Sequence, residues 1–315
     1  MEHICSDYLF TDKVSENMIK NVNSVNHEEY QYLHLLKNIL DNGYWENGRN
    51  GKVKSLFGAS MRFSLKDGQI PILTTKKVAW KTCLKELLWF IKGDTNNKHL
   101  QEQGVHIWDA NASKEFMNSR NLSHYEEGLL GPIYGWQWRR FNAPYNCYTG
   151  EVDIYAQYDL DIRDKGFDQL QYIIDQLKNP ETRNNRRLVM SAWNPNQLTQ
   201  MALPPCHVMC QFNVHDGNKL SCMMVQRSSD CMLGQPFNIT SYSFLTHLIA
   251  KHCGLEAYEF IHFLGNCHIY KEHIEAAELQ IKRIPYKFPN IEIITKRENI
   301  EDYIISDFLV KDYLS

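Results

Sequence analysis

Leu203-Pro204-Pro205-Cys206-His207, with Gln226-Arg227-Ser228-Ser229-Asp230 further along, is the stretch on which the reading of this chain turns. Two prolines restrict the backbone just ahead of a cysteine, and a histidine follows at once. A rigidly presented thiol, with a cation and hydroxyls nearby in sequence, suits covalent catalysis on an anionic substrate. Taken alone, such a cysteine is more commonly a buried small hydrophobe. In a strand the ring of His207 would face away from Cys206, so adjacency by itself proves little. Cys206, His207 and Cys210 also suggest a zinc corner, but no second ligand pair stands at finger-like spacing.

The residues that follow alternate: Val208, Cys210, Phe212 and Val214 share one face. His215-Asp216-Gly217-Asn218 is a turn, and 220–226 reads as the returning strand of a hairpin. Upstream, Tyr32, Leu33, Leu36, Ile39 and Leu40 form a helical stripe that starts near Asn26, with Glu29 as capping-box partner and Gly43 as its stop. Met61, Phe63 and Leu65 alternate over 60–65, and Asp67-Gly68 turns the chain. Helices are expected over 78–92, from Phe167 to Asn179-Pro180, over 236–253 and over 270–282. Strands are expected over 188–193 and 258–263. Residues 142–166 read as a surface excursion and 1–26 as a flexible arm. Helices and strands mix without a regular βαβ repeat, so the expected class is α+β in one domain over 27–315.

With 43% hydrophobic and 12% aromatic residues the chain is globular, not disordered. A net charge of −3 supplies no overall positive field for nucleic acid, so an anionic ligand would be held by local arginines. Nine cysteines at irregular spacing, with no Cys-x-x-Cys, point to a reducing compartment, cytoplasmic or nuclear. No secretory pattern is visible, and the densest apolar run, 87–91, is far too short to span a membrane.

Arg49 lies in the turn Asn47-Gly48-Arg49-Asn50-Gly51, Arg186-Arg187 leads into an apolar strand, and Arg227 ends another. Planar, always-charged guanidinium groups hold phosphate well, although any single arginine is more often a solvated surface residue. A P-loop is absent. Glu86 sits inside Leu84-Lys85-Glu86-Leu87-Leu88-Trp89-Phe90, where desolvation would raise its pKa and suit it to proton transfer; a helix-surface glutamate is the alternative. Asn238, after Pro236-Phe237, reads first as a helix N-cap. Its amide also matches the donor and acceptor of a uracil edge. His268 and Tyr270 are either core residues or hydroxyl-binding groups.

Longer strings join these pieces: Pro71-Ile72-Leu73-Thr74-Thr75-Lys76-Lys77, Glu86-Leu87-Leu88-Trp89-Phe90-Ile91-Lys92-Gly93, Ile107-Trp108-Asp109-Ala110-Asn111 and Leu130-Gly131-Pro132-Ile133-Tyr134-Gly135. Asp168-Gln169-Leu170, Ala202-Leu203-Pro204-Pro205-Cys206-His207, Gln226-Arg227-Ser228 and Pro236-Phe237-Asn238-Ile239 continue the series. Together they resemble the thymidylate synthase family, from about residue 28 to the C-terminus. The resemblance implies that family's α+β fold, a mixed sheet at a dimer interface with helices around it. It implies reductive methylation of dUMP to dTMP, with 5,10-methylenetetrahydrofolate as carbon and hydride donor and no metal. Cys206 would add to C6 of the uracil, since C5 is a poor nucleophile until C6 carries a thiolate. Glu86, Tyr134, Asn238 and Asp230 would complete the catalytic set. Asn238 would read the base, His268 and Tyr270 would bind the sugar hydroxyl, Arg49, Arg227 and Ser228 the phosphate, and His207 and Gln226 would also bind the substrate. Arg186 and Arg187 would come from the second subunit of an obligate homodimer. Trp108, Asn111, Asp230, Leu233, Gly234 and Phe237 would line the folate pocket.

The chain departs from that pattern in places. Ala79 stands where a bulkier residue is usual, Arg140 where histidine is frequent, and Asn266 where aspartate is common. Residues 146–165 form a longer segment than usual. The family pattern continues beyond the position of Ser315 into a tail that folds over bound folate and excludes water. The expectation is therefore that the chain as written binds dUMP and turns over slowly or not at all. Two alternatives accompany it: a catalytically impaired dimer serving as a binding or regulatory module, with RNA contact possible but unsupported, and a pyrimidine-nucleotide hydroxymethylase. Against the dCMP form of the latter stands Asn238, where aspartate is expected.

Overall fold

The structure, a computed structural model, describes residues 27–48, 50–151 and 166–315. The arm at 1–26, Arg49 and most of the 142–166 excursion lie outside the described residues.

Six strands form a mixed sheet: β1 (Tyr44–Gly48), β2 (Gly51–Ser64), β3 (Val189–Ser191), β4 (His207–His215), β5 (Lys219–Asp230) and β6 (Glu256–Tyr270). Their order is β1-β2-β6-β5-β4-β3, antiparallel except for the parallel pair β5–β6. A two-stranded ladder, β7 (Asn290–Ile293) with β8 (Phe308–Lys311), lies apart. The helices among the described residues are α1 (Tyr30–Asn42), α2 (Trp80–Ile91), α3 (Asn97–Gln101), α4 (Asp109–Ala112), α5 (Lys114–Ser119), α6 (Tyr134–Arg140), α7 (Gln169–Lys178), α8 (Gly234–Cys253) and α9 (Ile274–Gln280). The α+β class expected from the sequence is the one found.

The parallel pair needs a crossover, and α8 supplies it. That helix contacts β5 and β6 on one side and α2 on another. It is buried nearly all round, which is why its sequence shows no clear apolar stripe. Phe212, Cys222, Met224, Phe260, His262 and Leu264 point from the sheet into this core. On the opposite face, Met209, Val225 and Phe263 stand in register, as do Gln211, Met223 and Ile261. Those residues are only half-buried, and Phe263 is exposed.

Several local readings hold. The hairpin turns at Asp216 and Gly217, both at positive φ, and Gly254 ends α8 in the left-handed region. Gly43 does stop α1, as expected, and it does so in an extended conformation. Others are corrected. Glu29 is no capping-box partner: its carboxylate is fully buried and accepts from the backbone N–H and hydroxyl of both Thr74 and Thr75. Phe167 precedes α7, bridges to Phe141 and stays exposed. β6 runs to Tyr270, so 270–282 opens on a strand end and a short 3-10 turn before α9. Strand pairing to β2 and β5 extends β6 well beyond its own alternating pattern.

Candidate active site

Cys206 is half-buried in the loop that enters β4. Prolines cannot donate from the backbone, so the loop is held through its carbonyls. Arg227 Nε donates to Pro205 O at 2.9 Å and Nη2 to Pro204 O at 3.0 Å. The same guanidinium lies 5.5 Å from the Trp193 ring centre. The Arg227 N–H donates to Cys206 O at 2.9 Å, and the Cys206 N–H donates to Tyr134 Oη at 2.8 Å. Arg227 therefore fastens the segment that carries Cys206. Gly265 allows the two central strands β5 and β6 to close up here, because a Cβ there would meet Arg227 O at 2.6 Å.

A register shift between His207 and Met209 breaks the alternation at the start of β4. His207 is buried, its ring 5.0 Å from Tyr134 and 5.3 Å from Tyr242. Burial pulls its pKa down to about 4, partly offset by the neighbouring Asn238 side chain, so the imidazole is neutral at pH 7. The residues 206, 207 and 210 do not make a metal corner; among the described residues no group of three or more His, Cys, Asp or Glu side chains is placed to hold a metal.

Tyr134 opens α6. Its neighbour Gly135 permits close approach to α2, where a Cβ would meet Phe90 O at 2.5 Å. That approach sets the Tyr134 ring 5.0 Å from Phe90 and 6.2 Å from Trp108. Burial pushes its phenol well above the usual range, so the hydroxyl keeps its proton. Glu86, on α2, accepts from Trp108 Nε1–H at 2.7 Å. Desolvation raises its carboxyl to about 7 against the pull of that hydrogen bond. The desolvated reading of Glu86 is the one the structure supports.

Asn238 is not an N-cap. It lies within the first turns of α8, and its Oδ1 accepts from Gln226 Nε2 at 2.9 Å. Gln226 Nε2 also donates to Ser228 O, which leaves its Oε1 facing His262 Nε2 at 2.8 Å. His262 is fully buried and its pKa falls to about 3, so it is neutral and carries its proton on Nε2. The Asn238 amide is thereby pinned in one orientation by two residues behind it. His262 was not singled out from sequence, where it is one of thirteen histidines. Its alternation with Phe260 and Leu264 was the available signal.

Asp230 Oδ1 accepts from the N–H groups of Met232 and Leu233, forming the tight turn into α8. Lys76, a second residue not singled out, donates to Met232 O. Around this turn stand half-buried Phe237, Gly234 at the start of α8, and Leu233, 54% exposed. Asn111 lies in α4, one turn beyond Trp108. Ser228 and Asp230 pair with Asn266 and His268 across β5–β6, and the Tyr270 ring meets His268 edge-on at 5.4 Å. Arg186 and Arg187 are not at this cleft by any hydrogen bond of their own: both are exposed ahead of the edge strand β3, tied by backbone groups to Gln211 and Asn185. A cavity of about 590 Å³ lies elsewhere, between Lys66, Lys219, His247, Glu256 and Tyr258, and holds none of the site residues.

The α+β fold thus carries a cysteine-bearing loop fastened by Arg227 and Tyr134, an amide held in one orientation at Asn238 and a carboxyl raised to about 7 at Glu86, the groups of a thiol-dependent enzyme. Residues 30–315 match the family described as thymidylate synthase. A thymidylate synthase of human herpesvirus 8 is 50% identical over 288 residues, covering 91% of this chain and 81% of that protein. The bifunctional dihydrofolate reductase-thymidylate synthase of Zea mays is 50% identical over 289 residues, 91% of this chain and 53% of that protein. A probable thymidylate synthase of Schizosaccharomyces pombe is 49% identical over 302 residues, 91% of this chain and 46% of that protein. The chain belongs to the thymidylate synthase family. It spans about half the length of the bifunctional relatives it matches. Among the described residues no helix is long and apolar enough to cross a membrane.

Proposed function

We propose that this chain methylates dUMP reductively to dTMP through a covalent bond between Cys206 Sγ and C6 of the uracil. What supports the reading is a cysteine-bearing loop held by Arg227 and Tyr134, together with an amide at Asn238 whose orientation is set by Gln226. Asn238 has its Oδ1 turned toward Gln226, with a second lone pair left for an N3–H, and its Nδ2 is a donor for O4. Cytosine presents the reverse pattern, and His262 behind Gln226 opposes the flip that would accommodate it.

Arg227 and Ser228 hold the phosphate, joined by Arg49, while His268 and Tyr270 meet the sugar hydroxyl. Tyr134 keeps its proton and steadies the Cys206 backbone, and by way of ordered water it assists loss of the C5 proton. Glu86, with a carboxyl near 7, exchanges protons at neutral pH in either direction. 5,10-Methylenetetrahydrofolate supplies the carbon and the hydride when bound. The mixed surface of Trp108, Asn111, Asp230, Leu233, Gly234 and Phe237 suits a flat heterocycle with polar edges. The half-exposed row of Met209, Val225 and Phe263 favours a second copy against this sheet face, with Arg186 and Arg187 reaching the partner's phosphate site.

Release of tritium from C5-labelled dUMP in the presence of methylenetetrahydrofolate tests the reading. Release that disappears in Cys206→Ser, with a 5-methyl product, is expected. A 5-hydroxymethyl product, or release that survives C206S, overturns it.

A further inference from the structure

Beside His268, three side chains from two distant parts of the chain, β1 and the end of β6, form a directed hydrogen-bond series. Glu46 on β1 accepts through Oε1 from Ser55 Oγ at 2.7 Å and from Asn266 Nδ2 at 3.0 Å. Asn266 Oδ1 then faces His268 Nδ1 at 2.8 Å. Ser55 pairs with His268 across β2–β6, so the sheet itself brings the carboxylate behind the histidine.

We infer that Glu46, acting through Asn266, fixes the tautomer of His268 and so makes its Nε2 a hydrogen-bond acceptor for the sugar hydroxyl of the nucleotide. The inference rests on the nucleotide reading above and adds to it a positioning residue outside the cleft.

The argument is one of polarity. An ionised carboxylate only accepts hydrogen bonds. The bonds from Ser55 and Asn266 hold the Glu46 carboxyl below its ordinary range, so it is ionised at pH 7. Asn266 must then turn its NH2 to Glu46, because the flipped amide would set an oxygen against a carboxylate. Its carbonyl oxygen is left for His268, and a carbonyl oxygen needs a donor, so Nδ1 carries the proton. Burial lowers the His268 pKa, with Asp230 and Glu46 pulling the other way, and the ring is neutral. A neutral imidazole protonated at Nδ1 has its lone pair on Nε2. A hydroxyl that receives a hydrogen bond from Tyr270 can then give its own proton to His268, and both its roles are satisfied. With aspartate at position 266 the acceptor toward His268 would be retained, but a second carboxylate would face Glu46. Asparagine at 266 and glutamate at 46 are therefore suited to each other.

The test uses the full chain and four variants. In E46K the ammonium donates to Asn266 Oδ1, the amide flips, and His268 is driven to the Nε2–H tautomer. In N266D two carboxylates confront each other beside the ring. In E46K/N266D an aspartate again accepts from both neighbours, and the original tautomer returns. E46Q keeps an acceptor toward Asn266 and retains the parental tautomer. Nitrogen-15 shifts of the His268 ring read the tautomer with no turnover required, so this arm stands even if the proposed reaction fails. In the dUMP assays, E46K is expected to raise KM about tenfold, the worth of one neutral hydrogen bond, with kcat little changed. Its preference for dUMP over the 3′-deoxy nucleotide should shrink by the same factor. The double variant should return to within about threefold of the parent by the same scale. If His268 keeps its proton on Nδ1 in E46K, or the double variant is no better than the worse single one, the inference is wrong. Should E46K fail to fold, E46A takes its place, with a mixture of the two tautomers expected and a pure Nδ1–H form refuting the idea.

Discussion

Replacing Glu86 by glutamine should make the protein more stable at alkaline pH and leave it nearly unchanged in acid. In the folded chain the carboxyl is raised from 4.5 to about 7, chiefly by desolvation. A carboxyl whose folded pKa lies above its unfolded value costs stability as the pH rises between the two. Below about 4.5 it is neutral in both states; above about 7 the folded state must bury a charge that the unfolded chain leaves in water. A shift of this size corresponds to about 3 kcal/mol at 1.36 kcal/mol per unit. Between pH 5 and pH 8.5 most of that, about 2.5 kcal/mol, should develop. Glutamine keeps an acceptor for Trp108 Nε1–H and carries no charge. At roughly 2 °C per kcal/mol for a chain of this size, E86Q should gain about 5 °C on the parent across that range. The assay is paired thermal unfolding of the two proteins in matched buffers, reading the difference in Tm against pH, so that other titrating groups cancel. A difference that stays flat, or that falls with pH, would refute the claim that Glu86 is held in a desolvated site. The stabilised variant should also lose activity, the usual relation where a strained group serves chemistry.

Three further outcomes are expected. Glu29→Ala removes the acceptor for four donors of Thr74 and Thr75 and should cost about 3 kcal/mol, read by chemical unfolding; a loss under about 1 kcal/mol would show that the loop holds without it. His262→Phe frees the Gln226 amide, so kcat/KM for dUMP should fall by roughly 10- to 100-fold and selectivity over dCMP should narrow, while unchanged selectivity would deny His262 its part in orienting Asn238. Tyr134→Phe strips the acceptor from the Cys206 N–H and should lower kcat by about 100-fold with substrate binding largely retained; a variant with parental kcat would remove Tyr134 from the mechanism.

Much of the site was legible because its residues sit in short strings whose chemistry is local. Pro204, Pro205 and Cys206 read as a rigidly presented thiol and Arg227-Ser228 as a candidate anion contact, each weak alone and given weight by the longer strings around them. Glu86 stood out as a charge inside an apolar run, and in the fold it is half-buried with its carboxyl raised to about 7 by desolvation. Two of the misreadings share a cause: a polar side chain was paired with its nearest backbone. Glu29 looked like a capping residue and Asn238 like an N-cap, yet each spends its side chain on a partner far away in sequence. In a regular strand the His207 ring would face away from Cys206; the register shift at the start of β4 breaks that alternation, and the ring is buried against Tyr134.

By itself the sequence determined what depends on spacing along the chain: the hairpin at Asp216-Gly217, the ends of α2 and α8, the α+β class, and the set of reactive groups. Tertiary structure alone decided which way those groups face. Glu46 meets Asn266 across 220 residues, and His262 reaches Gln226 across 36, through strand registers that no local pattern encodes. Amides and imidazoles are nearly symmetric in shape but opposite in polarity at their two ends. Only the partner brought against them by the folded sheet can choose between those ends.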